Sequence, residues 1–334
     1  MSSVPRSIRR ATRTGRAPLT SLGIPFGLAG LAGTWTMAAR AGLVTNVIAE
    51  LLWTVAALAW VVVVVNYLAR SRNRGGSIAA DLRDPVQGAF ASLAPTAAML
   101  VCTHYAAYLP RSGRIATSVF MVLALVFGAW FLAQLVQHQR SIDAVHAGYL
   151  LPTVAAAFIV AQGAGTFAWG TLAVAAIAVG LLTWLIIGTV VLARMAFRPA
   201  PPAALLPTFA IFSAPPAVAG NAWFAHNGGQ PDLLETMLLG TFVVLILVQV
   251  MMLGTYARLP FHLGFWAFTF TAASSGTYAV HWLALWHSAG YELWAWLAVV
   301  IVTVLIGGIA VRSVEVLLRA HAASRATTPR RPRR

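Results

Sequence analysis

Ten times between Leu22 and Leu317 the chain runs for about 20 residues with few or no charges, and a helix needs about that length to cross roughly 30 Å of hydrocarbon. The stretches are Leu22–Ala39, Thr45–Leu68, Val86–Leu109, Ile115–Val136, Leu150–Ala168, Thr171–Ala193, Ala203–Phe224, Leu233–Tyr256, Leu263–His287 and Tyr291–Leu317. Only 9% of the residues are Asp, Glu, Lys or Arg, against about 25% in an ordinary soluble domain. A water-soluble globule is therefore excluded. The pattern predicts an all-α integral membrane protein with ten transmembrane helices across residues 19–318, flanked by basic cytoplasmic tails at 1–18 and 319–334. The first tail carries Arg6, Arg9, Arg10, Arg13 and Arg16 and no apolar run, a composition expected to stay disordered. A charged start followed by an apolar stretch also fits a signal peptide. Pro25 and the Gly27, Gly30, Gly33 series recur in kind further along, however, and mark Leu22–Ala39 as the first helix.

Orientation follows from arginine, since basic loops tend to stay cytoplasmic. All 23 basic residues are arginines. With both termini inside, twenty of them fall on the inner side, and only Arg40, Arg111 and Arg114 fall outside. An even number of spans in the cell membrane satisfies this split; nine or eleven does not. The outer acids are Glu50, Asp232, Glu235 and Glu292, which leave the outer side at about −1. Glu50, Glu235 and Glu292 lie near the amino ends of even-numbered helices, where the helix dipole favours negative charge. Asp232-Leu-Leu-Glu235 further reads as the start of a capping box. Glu50 sits deeper than the other two, which makes it a candidate for an outer vestibule.

Odd and even spans differ. Odd spans carry Pro25, Pro95, Pro152 and the pair Pro215, Pro216, each followed by small or hydroxylated residues such as Gly27 and Gly30, Thr96 and Thr153. Even spans are uninterrupted, as in Trp60-Val-Val-Val-Val-Val65. The recurrence, at roughly 60 residues, marks five tandem helical hairpins. Proline bends a helix and frees carbonyls, which hydrocarbon tolerates only where protein or a water-filled cavity satisfies them again. The expected architecture is thus an inner ring of kinked odd helices around a central pore, with straight even helices facing lipid.

The middle of the odd spans carries no charge, which is unlike a cation channel or a proton relay. What lines the path is expected to be Ser, Thr, Gly and freed backbone, with Phe158, Phe212 and Phe270 among them. His104 and His281 approach the outer ends of their helices and join Glu50 as vestibule candidates, while His138 and His146 fall in an inner loop with no partner at ligand spacing. The single cysteine, Cys102, closes no intrachain disulfide, and no Cys/His cluster has zinc spacing. No nucleotide loop or nucleophile elbow is readable. The sequence thus gives no support to an enzyme and implies neither cofactor nor metal. The arginines do not form a patch on a soluble fold, so nucleic acid is not an expected partner; membrane lipid is.

Four odd spans carry a resemblance. Gly23-Ile-Pro-Phe-Gly-Leu-Ala29, Leu93-Ala-Pro-Thr-Ala-Ala-Met-Leu100, Tyr149-Leu-Leu-Pro-Thr-Val-Ala-Ala-Ala-Phe158 and Phe265-Trp-Ala-Phe-Thr-Phe-Thr271 resemble, in order, the tellurite-resistance and dicarboxylate transporter family, which includes the plant slow anion channels and the yeast malic-acid permease. The resemblance implies five hairpins, a central pore in each subunit, a homotrimer and passage of small inorganic or organic anions. It also implies a pore-blocking phenylalanine on the ninth helix, which falls on Phe270, followed by Thr271 on the lining. The chain departs from the family in having Ala157 where an asparagine is expected before Phe158.

Two functional classes compete ahead of a third, a non-transporting membrane scaffold, which would leave the prolines in register without a purpose. One is an anion channel or channel-like transporter for chloride, nitrate, sulfite or a C4-dicarboxylate such as malate, gated by Phe270. The other is a proton-coupled carrier for C4-dicarboxylate, sulfite or tellurite, which would need a titratable group such as His104 or Glu50. The arginine split itself makes a prediction. Reporter fusions at Met1 and Arg334 should both read cytoplasmic, and opposite readings would overturn the even count.

Overall fold

Proline has no N–H to donate, so it costs least near a helix start, where the N–H groups have no intrahelical partner. In the computed structural model, which describes residues 18–73 and 77–326, the repeated prolines occupy such positions. The long helices are α1 (Gly23–Arg40), α2 (Val47–Asn73), α3 (Leu93–Tyr105), α4 (Pro110–Gln137), α5 (Ala156–Thr166), α6 (Gly170–Phe197), α7 (Pro215–His226), α8 (Leu233–Tyr256), α9 (Ala267–Trp286) and α10 (Tyr291–Ala326). Every odd helix enters through a tight 3-10 lead-in: Leu19–Leu22, Gly88–Ser92, Ala147–Leu150, Ala203–Ser213 and Leu263–Trp266. Pro25, Pro95, Pro152 and the pair Pro215, Pro216 stand at the second or third residue after their lead-ins, Pro152 inside one turn of π-helix, Leu151–Ala155. The expected mid-span kink is therefore a change of helix type at the amino end. In the fifth repeat the third residue is Thr269, whose hydroxyl donates to the Trp266 carbonyl at 2.7 Å.

The helices pair as consecutive hairpins, and the odd members close a ring in which α1 touches α3, α3 touches α5, α5 touches α7, α7 touches α9 and α9 returns to α1. Among the helices long and apolar enough to cross a membrane, the odd ones are 61–89% buried inside the protein and the even ones 6–28%. That difference separates an inner layer from an outer, apolar one. Eight helices meet the measure among the described residues, not the expected ten. The two left out are α3, whose Pro95, Thr96, Thr103 and His104 lower its hydropathy, and α9, where Thr269, Thr271, Ser274, Ser275 and Thr277 do the same. Both belong to the inner layer, where neighbouring helices and not lipid surround the polar groups. Residues 1–17 and 327–334, which hold nearly all of the first basic tail and half of the second, lie outside the described residues.

Two histidines start inner helices. His146 Nδ1 accepts the Gly148 N–H and His262 Nδ1 accepts the Gly264 N–H, both at 3.1 Å. They open the third and fifth lead-ins with the same His-x-Gly spelling, about two repeat periods apart. A β-carbon on either glycine would sit 2.6 Å from the imidazole Cε1, so the spelling requires glycine. His146, which the sequence places in an inner loop, thus opens an inner helix. Its Nε2 lies 3.1 Å from the Val86 carbonyl, which makes Nε2 the protonated nitrogen and the ring neutral.

Burial pushes the His146 imidazole down from 6.5 to about 4, against a smaller opposing effect of the Val86 carbonyl. Burial lowers His262 as well. A histidine lowered in the fold contributes stability above its ordinary range and loses it as pH falls toward the folded value, because the unfolded chain binds the proton first. Thermal stability in detergent should therefore drop as pH is lowered from 6.5 to about 4. His146→Gln should lower Tm at neutral pH and flatten the pH dependence. Scanning fluorimetry across that range checks both, and an unchanged pH slope in the variant would count against the cap.

Candidate functional site

The five odd helices enclose two cavities, one at each end of the ring. The narrow cavity, about 70 Å³, is lined by the lead-ins and first turns, including Phe26, Phe90, Leu93, Leu151, Val154, Phe158, Ile211, Leu263 and Trp266. No side chain of α2, α4, α6, α8 or α10 reaches it. The wide cavity, about 1030 Å³, is lined by the carboxyl-terminal halves of the same helices together with the opening turns of α2 and α4, and it opens among polar groups: Arg40, Glu50, His104, Arg114, Gln162, Asn221, Ser274, Thr277 and His281. Two residues line both cavities, Val218 of α7 and Phe270 of α9. Both are apolar side chains, and they stand where the two cavities approach each other.

Phe270 is held from two sides by α1. Its ring stacks on Phe26 with centroids 3.7 Å apart and planes 18° from parallel. One turn further along α1, a β-carbon at Gly30 would sit 2.9 Å from Phe270 Cδ2. Glycine there admits the ring, and the stack fixes its plane. Both phenylalanines are the fourth residue after their lead-ins, so they occupy the same repeat position on adjacent inner helices. Phe268, two residues before Phe270, instead packs edge-on against Tyr256 of α8 at 4.8 Å.

At the far end of the wide cavity Glu50 is the hub of a cluster. Its Oε2 lies 3.0 Å from His104 Nε2, and its Oε1 accepts from Tyr108 Oη and Asn46 Nδ2, each at 2.7 Å. Trp53 stacks on the His104 ring at 4.5 Å. His281 stacks on Phe224 at 3.9 Å, with Nε2 3.2 Å from the Gly229 carbonyl. Glu50, His104 and His281 all face the same space.

The other sequence candidates divide. Gly30 lines the wide cavity, while Pro215 and Thr271 line the narrow one. Pro25, Pro95, Pro152, Gly27, Thr96 and Thr153 line neither. Thr96 is fully buried and donates to the Ser92 carbonyl at 2.9 Å, and the Thr153 hydroxyl is buried with no hydrogen-bond partner. A β-carbon at Gly27 would land on the Thr269 hydroxyl, so this glycine serves the α1–α9 contact. Gly27 and Thr96 thus serve the packing between helices, which need small and hydroxylated residues as much as a pore does. Phe212 stacks on Phe209 at 5.4 Å and lines neither cavity.

The capping box forms only in half: Asp232 Oδ1 accepts the Glu235 N–H at 2.9 Å, but the Glu235 side chain turns inward and accepts from Tyr278 Oη at 2.7 Å. Sequence reasoning missed Phe26, Val218, Arg40 and Arg114 as cavity residues. Phe26 and Phe270 hold the same position after their lead-ins, but the fifth repeat has no proline to align on, and nothing in the sequence points to Val218.

Comparison with known proteins agrees with this architecture. Residues 16–315 match the model of the voltage-dependent anion channel family. A tellurite resistance protein TehA homolog from Haemophilus influenzae is 25% identical over 261 residues, which cover 77% of this chain and 78% of that protein.

Gly27 and Gly33 lie two turns apart on α1 and separate packing from lining. Gly27→Ala should cost about 1–3 kcal/mol through overpacking against Thr269. A β-carbon at Gly33, which lines the wide cavity, meets nothing within 4 Å. Gly33→Ala should therefore leave Tm unchanged or slightly raised. Melting curves of the two variants in detergent compare them directly, and equal losses would contradict the assignment.

Proposed function

The chain belongs to the voltage-dependent anion channel family, and from that premise we propose that it is an anion channel or channel-like transporter of the cell membrane whose path runs between the five odd helices and is closed at Phe270. In this reading all ten helices cross the membrane, the wide cavity faces outward, and the cargo is a small anion such as chloride, nitrate, sulfite or malate. The observation that carries it is the partition: two cavities on one axis share only Val218 and Phe270.

An ion entering the wide cavity meets hydroxyls, amides and cations, and then a phenyl ring against an isopropyl group. An apolar constriction of this kind excludes water, and with it any ion that must keep part of its hydration shell. Beyond the partition the narrow cavity carries no ionised side chain, so nothing there binds an anion tightly enough to trap it. The ring opposes passage by filling space, and conduction requires it to turn or leave. Phe26 opposes that turn, since unstacking the pair forfeits an aromatic contact of about 0.5–1.5 kcal/mol.

Phe270→Ala should raise anion conductance, read as unitary currents in planar bilayers under a chloride or nitrate gradient. Phe26→Ala should raise it less, and the double variant should gain little over Phe270→Ala, because the stack is already broken. Phe268→Ala is the control, since that ring packs on α8 and should leave conductance nearly unchanged. Truncating a buried phenylalanine costs roughly 3–5 kcal/mol in soluble proteins, so each variant is first compared by size exclusion. Folded Phe270→Ala protein conducting no better than wild type would overturn the gate. Saturable, pH-linked flux without unitary currents would favour a carrier.

A further inference from the structure

At the wide-cavity end of the helices the four acids outnumber the three arginines by position in the chain, which predicts no attraction for anions. The fold reverses that balance at the cavity wall. Asp232 is spent on the start of α8 and on the Trp223 Nε1, which it accepts at 2.6 Å. Glu235 is fully buried against Tyr278, and Glu292 lies in the first turn of α10. None of the three lines the cavity. Glu50 does, but His104, Tyr108 and Asn46 hold both of its oxygens.

Arg40 and Arg114 line the same cavity, and among the described residues no carboxylate lies at ion-pair distance from either. Arg40 closes α1, where a cation meets the negative end of the helix dipole, so its position has an ordinary cause. Arg114 has no such cause: it lies one turn into α4, far from the helix's negative end. It is held over the Phe167 ring, 5.5 Å from the centroid. The charge of Arg40 reaches His281, which faces the same space.

We propose that Arg40 and Arg114 form an anion-capture site on the wall of the wide cavity, ahead of the Phe270 partition, for a carboxylate or planar oxyanion in preference to a halide. A guanidinium is a rigid planar fork of donors that matches two oxygens of one anion, whereas a spherical halide uses only the charge. An anion held there meets cations that have no carboxylate partner and waits in the cavity ahead of the constriction. The site presupposes that the wide cavity is part of the anion path.

Calorimetric titration of the purified protein in detergent with nitrate, malate and chloride tests the site without requiring the gate to open. At about 10 mM ionic strength, where the Debye length is about 30 Å, nitrate and malate should bind more tightly than chloride. Arg40→Gln and Arg114→Gln should each weaken that binding about fivefold or more, the value of one charge at contact distance in water. The difference should shrink near 0.15 M salt, as the Debye length falls to about 8 Å. Arg111→Gln, a neighbouring arginine that does not line the cavity, should bind as wild type. Lysine at 40 and 114 should retain binding and lose the preference over chloride, and this pair replaces the glutamine variants if those run as aggregates. Wild-type binding in the double glutamine variant, an equal loss in Arg111→Gln, or no preference over chloride in the wild type would overturn the proposal. Loss of binding in the arginine variants together with a silent Phe270→Ala would keep the capture site and remove the gate; the reverse outcome would do the opposite.

Discussion

Hydrocarbon offers no hydrogen bond to a peptide group, and the rest of this structure depends on that constraint. A backbone in such a medium must satisfy itself as helix, and a helix rich in Thr, Ser and Gly must be kept away from lipid. The protein meets both demands by pairing each polar helix with an apolar one. The apolar partners bury little of their own surface inside the protein, whereas the inner helices are largely enclosed. Each hairpin therefore contributes one wall of an axial space and one piece of the shield around it.

Ring closure places chemistry that no single hairpin contains. The contact between α1 and α9 joins the first repeat to the last, and it sets the position of Phe270 by presenting Phe26 and Gly30 to the ring. Gly27 lets the two helices approach closely enough for that stack, since any side chain there would meet Thr269. The lead-ins do comparable work at the opposite end. His146 and His262 cap two of them, and the prolines limit where the α-helix takes over. The axial space is narrow and apolar where the lead-ins converge and wide and polar where the helices diverge.

Individual residues differ in how legible they are in the sequence. Phe270 stood out because its repeat lacks the proline and because the family resemblance points to it. Phe26 did not, although it follows Pro25 directly, because a phenylalanine in an apolar span reads equally well as lipid-facing or core. Thr96 and Thr153 looked like lining and line neither cavity. A helix has an inward arc and two flanking arcs, and the run of residue types after a proline does not say which arc each one occupies. Glu235 looked like a capping residue and is instead a buried partner of Tyr278, which lies 43 residues further along the chain.

The sequence alone determined the solvent, the helical class, the five-fold hairpin repeat and the division into inner and outer helices. Each of these follows from composition over 20 or more residues, where single side chains average out. The tertiary structure alone decided that Val218 and Phe270 line both cavities, that Phe26 stacks on Phe270, and that Glu50 is occupied by His104 while, among the described residues, Arg40 and Arg114 have no acid at ion-pair distance. These outcomes depend on the rotation of each helix about its axis and on contacts between distant hairpins. The physical reason is that charge and polarity summed along the chain carry no angular information, whereas a cavity wall is defined by angle. Two sides of a membrane can therefore be told apart by counting arginines, but the sign of the charge inside a vestibule cannot.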